Sequence, residues 1–111
     1  MSIRDRNISK IIESAIHVCG KNGIDATSVL MIAKHAKLPK SNVLYYFDDR
    51  AHLDAAVQKE CFKTDLNFTG ITDRIDALAN ATLSDYQKCA IALQIRILVN
   101  NSIREQLKGD L

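Results

Sequence analysis

The chain has 111 residues, of which 47% are hydrophobic and 25% charged, and its formal net charge is +2. This length and composition are typical of one globular domain and exclude a disordered chain, while the small charge does not by itself indicate nucleic acid. The positive excess lies in residues 1–60, which contain nine Lys or Arg against seven Asp or Glu; residues 61–111 contain six of each. The N-terminal half is therefore the better candidate for an anionic partner.

The residues that most often bind metals are scattered along the chain. They are Cys19, Cys61 and Cys89, and His17, His35 and His52. The cysteines are odd in number and each has apolar neighbours, so we expect buried free thiols, with redox sensing as the alternative. No cysteine or histidine has a partner at metal-ligand spacing, and we therefore expect no metal site.

Other function classes also lack their sequence signals. Nothing resembles a nucleophile with its base or a glycine loop that cradles phosphate, so we expect neither an enzyme nor a bound cofactor. No secretory leader opens the chain, and the longest apolar-rich run, residues 89–99, is too short to span a bilayer. We expect a cytoplasmic protein that does not associate with membranes.

The first segment predicts an amphipathic helix. Its apolar residues recur at i, i+3, i+4, i+7, i+8 and i+11: Ile8, Ile11, Ile12, Ala15, Ile16 and Cys19. Gly20 and Gly23 follow and are expected to end the helix.

Two short helices are predicted next, separated by a tight turn. Thr27 or Ser28 can cap the first of them. Its apolar face would be Val29, Ile32, Ala33 and Ala36. Pro39 lacks a backbone N–H, so it marks either the turn or the first residue of the next helix, which runs from about Lys40 to Tyr46.

Three further helices are predicted in the remainder, and no segment shows β alternation. Asp48 and Asp49 can cap a fourth helix, with the apolar face Leu53, Ala56, Val57, Cys61 and also Leu66. Residues 67–70 look like a break, and a short fifth helix over 73–82 would bury Ile75, Leu78 and Ala79. Ser84 can cap a sixth helix that extends to about Lys108. The predicted fold class is all-α.

The stretch from Ala26 to Phe47 is the most informative part of the sequence. It contains Lys34, Lys37 and Lys40 but no Asp or Glu, and it ends in two tyrosines before Phe47. A helix-turn-helix needs a positioning helix, a turn and a second helix whose N-terminal residues meet base edges in the major groove. Positive charge and hydroxyl groups around that second helix would hold phosphates. The pattern therefore predicts binding to double-stranded DNA.

Residues 6–60 resemble the N-terminal DNA-binding domain of the TetR family of bacterial transcriptional regulators. The resemblance rests on the isoleucine-rich first helix, Gly23, Ala26-Thr27-Ser28 before Ile32-Ala33, the run Leu38-Pro39-Lys40-Ser41-Asn42-Val43-Leu44-Tyr45-Tyr46-Phe47, and Asp49-Arg50 before Leu53. The family often has glycine at the position of Ser41, an aromatic residue at that of Leu44 and lysine at that of Arg50.

The resemblance implies roles for individual residues. Those expected at base edges are Lys40, Ser41 and Asn42, and those expected at the phosphate backbone are Thr27, Ser28, Lys37, Tyr45, Tyr46 and Arg50. The physical chemistry agrees, because lysine can reach guanine O6 or N7 and asparagine can pair with adenine N6 and N7. The N-terminus of the second helix also offers free N–H groups to an anion. Tyr46 has a second interpretation as a core residue, and Phe47 is expected in the core.

The C-terminal region is short for this family, whose members usually have a helical domain that dimerises and often encloses a small molecule. A drug-sized ligand needs a pocket of roughly 300–1,000 Å³, and two helices of one chain do not wall one. We therefore expect no conventional small-molecule inducer. In the sixth helix, Tyr86, Cys89, Ala90, Leu93 and Ile97 form one apolar stripe that would pack on the first and fourth helices.

The rest of the sixth helix predicts a homodimer. The residues expected at the interface lie away from the core-facing stripe: Ile91, Ile95, Leu98 and Ser102. A two-fold dimer would bind a pseudo-palindromic site. The alternative is a compact monomer whose sixth helix is buried on all sides.

Together these expectations define two regions and one leading function. Residues 1–60 would be a TetR-type helix-turn-helix domain, and residues 61–111 a short helical region for dimerisation. The predicted function is a sequence-specific transcriptional regulator, acting as a repressor on a pseudo-palindromic operator. The alternative is a protein-interaction module, derived from a helix-turn-helix, that dimerises with or titrates a longer regulator.

Overall fold

A computed structural model describes residues 2–63, 68–80 and 82–109. Within these residues all regular structure is α-helical, as predicted. The helices are α1 (Ile3–Asn22), α2 (Val29–Ala36), α3 (Lys40–Tyr46), α4 (Arg50–Cys61), α5 (Ile71–Leu78) and α6 (Asp85–Gly109).

Helix α1 is the element on which α2, α4 and α6 pack. It begins at a cap in which the Ser2 side chain accepts a hydrogen bond from the Asp5 N–H at 3.1 Å. The prediction that Gly20 ends this helix is wrong, because α1 continues to Asn22 and ends at Gly23, whose φ is +90°. Gly20 instead lies against α6, where a Cβ would come within 2.7 Å of the Cys89 Cα. Glycine is needed there for close packing of the two helices.

One hydrophobic cluster draws side chains from α1, α2, α3, α4 and α6. Its members are Ile11, Ala15, Ile16, Cys19, Ile32, Ala33, Val43, Leu53, Val57, Cys61, Cys89, Ala90, Leu93 and Ile97. The apolar stripes predicted for α2 and the core-facing side of α6 are thereby confirmed, as is the α1 stripe apart from Ile8, which lies outside the cluster. Residues on both sides of position 60 contribute, so α6 is part of the core that supports the N-terminal helices.

The three cysteines are buried, as expected. Burial raises the pKa of each thiol above its usual range, and that of Cys61 to about 11. The thiols are therefore protonated near neutral pH, and a protonated, buried thiol is a poor nucleophile. Cysteine serves here as a small core residue.

The region after α4 departs from the predicted pattern. Asp49 caps α4 as expected, since its side chain accepts a hydrogen bond from the His52 N–H at 2.9 Å. Leu66 and residue 67, where the predicted break begins, lie outside the described residues. Helix α5 begins at Ile71 and ends at Leu78, rather than spanning 73–82, and no residue in it is buried. Ile75 is 54% exposed, so the prediction that it packs in the core is wrong.

A polar chain attaches α5 to the rest of the fold. Arg74 Nε donates a hydrogen bond to Gln94 Oε1 at 2.8 Å, and Gln94 Nε2 donates to the Cys61 carbonyl at 2.7 Å. Gln94 is buried, and a buried amide without partners would be costly. This chain helps to hold α5, none of whose residues is fully buried.

Helix α6 is 25 residues long and packs against α1, α4 and α5. Ser84 caps its start as predicted, since its side chain accepts the Gln87 N–H at 3.2 Å. Ile91 is completely buried within the single chain, so its expected place at a dimer interface is wrong. Every residue from Val99 to Gly109 is exposed, which leaves the end of the helix uncovered.

No helix in the described part of the chain is long and apolar enough to cross a membrane.

Candidate nucleic-acid interface

The turn between α2 and α3 has the geometry that a compact helix-turn-helix requires. Lys37 ends α2 in the left-handed conformation, with φ 59° and ψ 41°. The Leu38 N–H then donates to the Ala33 carbonyl at 3.0 Å, and the Leu38 side chain packs against the core. Pro39 occupies the cap position of α3, and its carbonyl accepts the Asn42 N–H at 3.0 Å. The turn is therefore closed by backbone bonds and anchored by one apolar side chain.

The start of α2 is capped by side-chain and backbone groups. The Ser28 hydroxyl accepts a hydrogen bond from the Met31 N–H at 3.1 Å, and the Ser28 N–H donates to the Met31 sulfur at 3.4 Å. Ser28 is nevertheless exposed. It lies at the positive end of the α2 dipole, where an anion is favoured.

Helix α3 has one face in the core and one face in solvent. Val43 is buried, and Tyr46 and Phe47 are half-buried against the core cluster. The outer face consists of four exposed residues at i, i+1, i+4 and i+5: Lys40, Ser41, Leu44 and Tyr45. Helical periodicity therefore brings two of the expected base-reading residues together with Tyr45, which is 77% exposed. Asn42 is half-buried at the edge of this face.

Leu44 is a residue of this face that the sequence reasoning did not include among base contacts. It is 45% exposed, one helical turn after Lys40. The spacing alone could have indicated it, because residues i and i+4 lie on the same side of a helix. An exposed leucine here is suited to contact the methyl group of thymine.

The two tyrosines have different positions. Tyr45 points to solvent, whereas the Tyr46 hydroxyl accepts a hydrogen bond from Asn7 Nδ2 at 3.2 Å and its ring packs on the core. Tyr46 therefore ties α3 to the first turns of α1. Of the two interpretations given to Tyr46, the structure favours the structural one.

Two residues expected at phosphates are engaged inside the protein. Thr27 is 3% exposed, and its hydroxyl donates to the Gly23 carbonyl at 2.7 Å. Arg50 donates from Nε to Asp54 at 2.8 Å, from one terminal nitrogen to the Ile24 carbonyl at 2.8 Å, and from the other to the Thr27 carbonyl. Both side chains hold the loop between α1 and α2, and their phosphate contacts stay a prediction.

The exposed charges around α3 are mostly positive. Lys34, Lys37 and Lys40 are exposed along the segment that contains no acid. The pKa of His35 is lowered by burial and by the nearby His17 and Lys21. The positive charge of this surface near neutral pH therefore comes from lysines.

Acidic residues border this segment on its C-terminal side. The pKa of Asp49 is lowered by hydrogen bonds from the His52 backbone and side chain, which keep that carboxylate charged. A negative charge at this position opposes the close approach of phosphate beyond the start of α4.

The remaining expected site residues lie on α6. Ile95 and Leu98 are half-buried, and Ser102 is exposed.

In the described residues no group of three or more His, Cys, Asp or Glu side chains is arranged to hold a metal ion.

Comparison with known families identifies the segment that contains this surface. Residues 11–57 match the family model described as bacterial regulatory proteins, tetR family. The match begins within α1, includes α2, the turn and α3, and ends within α4. No curated protein and no solved structure gives a significant match to the chain.

Proposed function

We propose, from the premise that residues 11–57 form a TetR-family helix-turn-helix DNA-binding domain, that the protein is a repressor that binds a specific operator as a homodimer. The observation that supports this function best is the exposed face of α3, Lys40, Ser41, Leu44 and Tyr45. It presents one cation, two hydroxyl groups and one apolar side chain beside a turn without acids. Such a mixture can read base edges and grip the backbone at the same time.

Base reading is assigned to the first turns of α3. The Lys40 ammonium would donate to guanine O6 and N7, and the Ser41 hydroxyl would donate to or accept from a neighbouring base. Leu44 would contact a thymine methyl group. Asn42, which is half-buried, would pair with adenine only where the helix end enters the groove deeply.

Phosphate binding is assigned to the residues around this face. Lys37 in the turn, Ser28 at the start of α2 and the exposed hydroxyl of Tyr45 are all accessible. Each phosphate neutralised by a lysine releases counterions and makes binding depend on salt concentration. Thr27 and Arg50 contribute indirectly, because their hydrogen bonds fix the loop that precedes Ser28.

A two-fold dimer would present two copies of α3 to one side of the duplex. Recognition helices of helix-turn-helix dimers lie about one helical turn of DNA apart, roughly 34–36 Å. The operator would then be a pseudo-palindrome, and bound protein would obstruct transcription in the bacterial cytoplasm. We expect no enclosed inducer pocket in the C-terminal region.

In-vitro selection from a random duplex library would test this function. We expect enrichment of a palindrome. In a salt titration, the selected sequence should then bind more tightly than a scrambled one. Lys40→Ala should weaken binding to the selected site more than to the scrambled duplex, by about 1–3 kcal/mol of discrimination. Lys59→Ala, which removes an exposed lysine from α4, is the matched control and should preserve the preference.

Two outcomes would contradict different parts of the proposal, the first the role of Lys40 and the second the function itself. Equal losses on both duplexes for Lys40→Ala would show that Lys40 contacts only the backbone. Failure to enrich any sequence, with weak binding that depends only on salt, would instead support the interaction module that pairs with a longer regulator.

A further inference from the structure

A cavity lies between α1 and the end of α2, and the proposed function does not use it. Its volume is about 390 Å³, and it is lined by four residues of α1, the last two residues of α2 and Lys37 of the turn. The α1 residues share one side of the helix because they are three or four positions apart: Lys10, Glu13, Ser14 and His17. A volume of this size accommodates a small organic molecule.

Most of the ionisable groups that line this cavity are cationic or can become so. Lys10, Lys37 and His35 are exposed, and His17 is half-buried. Glu13 is the only carboxylate among the described lining residues. Within the described part of the chain none of these five side chains forms an ion pair. Their charges are therefore available to a ligand, and the excess is positive.

Two imidazole rings lie face to face at this site. The ring centroids of His17 and His35 are 5.4 Å apart, with an interplanar angle of 24°. Tyr86 of α6 meets the His17 ring edge-on, with centroids also 5.4 Å apart. Two imidazolium charges at this distance repel each other, so an anion beside them favours the protonation of both.

A buried hydroxyl group opens into the same cavity. Ser14 is 5% exposed, and within the described residues its hydroxyl forms no hydrogen bond. No fully enclosed side-chain oxygen of the described residues lacks a partner, so the exposed remainder of Ser14 includes its hydroxyl oxygen. A hydroxyl inside a cationic cavity is suited to donate to one oxygen atom of an anion.

We propose that this cavity binds the phosphate group of a small phosphate monoester. Such a group carries about two negative charges and three strong acceptor oxygens, which match two ammonium groups, two imidazoles and one hydroxyl. A carboxylate has one charge and two oxygens and would leave several of these donors unused. A metal ion does not fit, because the described His, Cys, Asp and Glu residues contain no group of three arranged to hold one.

Lys37 connects this cavity to the proposed DNA contacts. It lines the cavity, and it is also assigned above to a phosphate of the operator. One ammonium group does not neutralise two phosphates at once, so the ester should lower the affinity for DNA, and DNA should lower the affinity for the ester by the same factor. This consequence rests on the proposed function, whereas binding of the ester does not.

The NMR signals of the histidine rings provide the first test. Inorganic phosphate and glycerol phosphate would each be added to the whole chain, with KCl at matched ionic strength as the reference. We expect saturable shifts of the Cε1–H signals of His17 and His35, with glycerol phosphate binding the more tightly. His52, whose ring contacts Asp49 at 2.7 Å, is the internal control and should follow the chloride reference. Equal shifts of all three rings, no shifts, or tighter binding of inorganic phosphate would overturn the proposal.

Point variants test the assigned groups. Lys10→Ala should weaken binding of glycerol phosphate by about tenfold or more, since it removes a charged donor. Lys59→Ala, which removes an exposed lysine of α4, is the matched control and should have no effect. Glu13→Gln should strengthen binding, because it removes the carboxylate that repels the anion. Equal affinities of Lys10→Ala and Lys59→Ala would overturn the proposal.

The pH dependence of anion binding tests the imidazoles. Sulfate is the suitable anion because it stays doubly charged where phosphate titrates. The pKa of His35 is lowered by burial, His17 and Lys21, so an anion should raise it and bind with proton uptake. The other ionisable groups that face the pair are Lys10, Glu13, Lys37 and Tyr86, whose pKa is raised by burial, Glu60 and Glu13 and which stays neutral.

Sulfate affinity should therefore rise as pH falls from about 7.5 to 5.5, by about tenfold for each unit by which the anion raises a histidine pKa. His35→Gln should reduce this dependence. An affinity that is constant over this range would overturn the proposal.

DNA binding separates this inference from the proposed function. Glycerol phosphate should weaken binding of wild type to the selected palindrome beyond the KCl reference, but should not do so for Lys10→Ala. Loss of DNA affinity in Ser14→Ala without any added anion would assign the cavity to the duplex backbone and overturn the proposal. Wild type that binds the ester yet prefers no DNA sequence would reject the operator function and keep the site. Wild type that prefers a sequence but shows no histidine shifts would do the reverse.

Discussion

Gly20 and Cys89 bring the backbones of α1 and α6 into direct contact. A Cβ at Gly20 would come within 2.7 Å of the Cys89 Cα and 2.8 Å of its carbonyl carbon. These are backbone atoms in a buried interface, so a side chain at position 20 could be accommodated only by moving one helix. The contact joins the N-terminal helices to α6, which contributes side chains to the same core.

Gly20→Ala should therefore destabilise the fold. Overpacking of a close interface costs about 1–3 kcal/mol, which exceeds the gain in helix propensity that alanine would bring. Urea unfolding followed by circular dichroism would measure the difference. Gly109→Ala is the control, since nothing lies within 4 Å of a Cβ there, and it should leave stability unchanged or slightly higher. Equal stability of both variants would show that α1 and α6 separate without cost.

Arg50 is predicted to act on stability rather than on phosphate. Arg50→Lys retains the charge but cannot reproduce three separate hydrogen bonds to Asp54, Ile24 and Thr27. We expect a loss of about 1.5–3 kcal/mol in unfolding free energy, typical of hydrogen bonds from a charged group.

The salt dependence of DNA binding provides the control for Arg50. If Arg50 does not contact phosphate, the slope of log K against log salt should be the same for Arg50→Lys, Arg50→Ala and wild type. A slope reduced by about 0.9 in Arg50→Ala alone would identify a lost phosphate contact and contradict the structural role.

Thr27 and Arg50 also show how far the sequence could be used to predict the site. The order of helices, the caps at Ser28 and Asp49, and the core stripes follow from local spacing, and the structure confirms them. The inward direction of Thr27 and Arg50 does not, because it depends on loop carbonyls that only the folded chain brings together. A hydroxyl or guanidinium near a helix start looks the same in sequence whether it meets a phosphate or a carbonyl.

The C-terminal half was harder to predict for a related reason. Ile91 and Ile95 are one helical turn apart, yet Ile91 is completely buried and Ile95 only half-buried. Periodicity identifies an apolar face but not which neighbour covers it. Helix α5 begins two residues before its predicted start, and the hydrogen bond from Arg74 to Gln94 that helps to hold it has no signal in the apolar periodicity.

The two neighbouring tyrosines should respond differently to removal of the hydroxyl group. Tyr45→Phe should weaken binding to the selected and the scrambled duplex alike and leave stability unchanged, because its side chain is 77% exposed. Tyr46→Phe should lose about 0.5–1 kcal/mol of stability with the hydrogen bond from Asn7. Thermal unfolding and fluorescence anisotropy on the same samples would compare them. Unchanged affinity for Tyr45→Phe would remove that hydroxyl from the proposed contacts.

Lys37 is predicted to lower stability while it raises affinity for DNA. Its φ of 59° is unfavourable for any residue with a side chain. Lys37→Gly should therefore stabilise the fold by about 0.5–1 kcal/mol and reduce the salt slope of DNA binding by about 0.9. Lys37→Ala, which removes the charge but keeps the strained conformation, should lose the same affinity without the gain in stability. Two variants of equal stability would show that the turn relaxes around position 37.

His35 should make stability depend on pH just below neutrality. Burial, His17 and Lys21 hold its pKa below the ordinary value of 6.5, so the unfolded chain binds a proton more readily than the folded one. The unfolding free energy should therefore fall as pH is lowered from about 7.5 through 6.5 and level off below the folded pKa. Asp49 and Asp73 do not contribute in this range. Their pKa values lie below the ordinary 3.8, so any loss of unfolding free energy from their protonation falls at acidic pH.

Urea titrations at several pH values should show a weaker pH dependence of the unfolding free energy for His35→Gln. They should show a partly reduced one for His17→Gln, which removes one of the charges that depress the pKa of His35. An identical pH profile for His35→Gln and wild type would assign the dependence to another group.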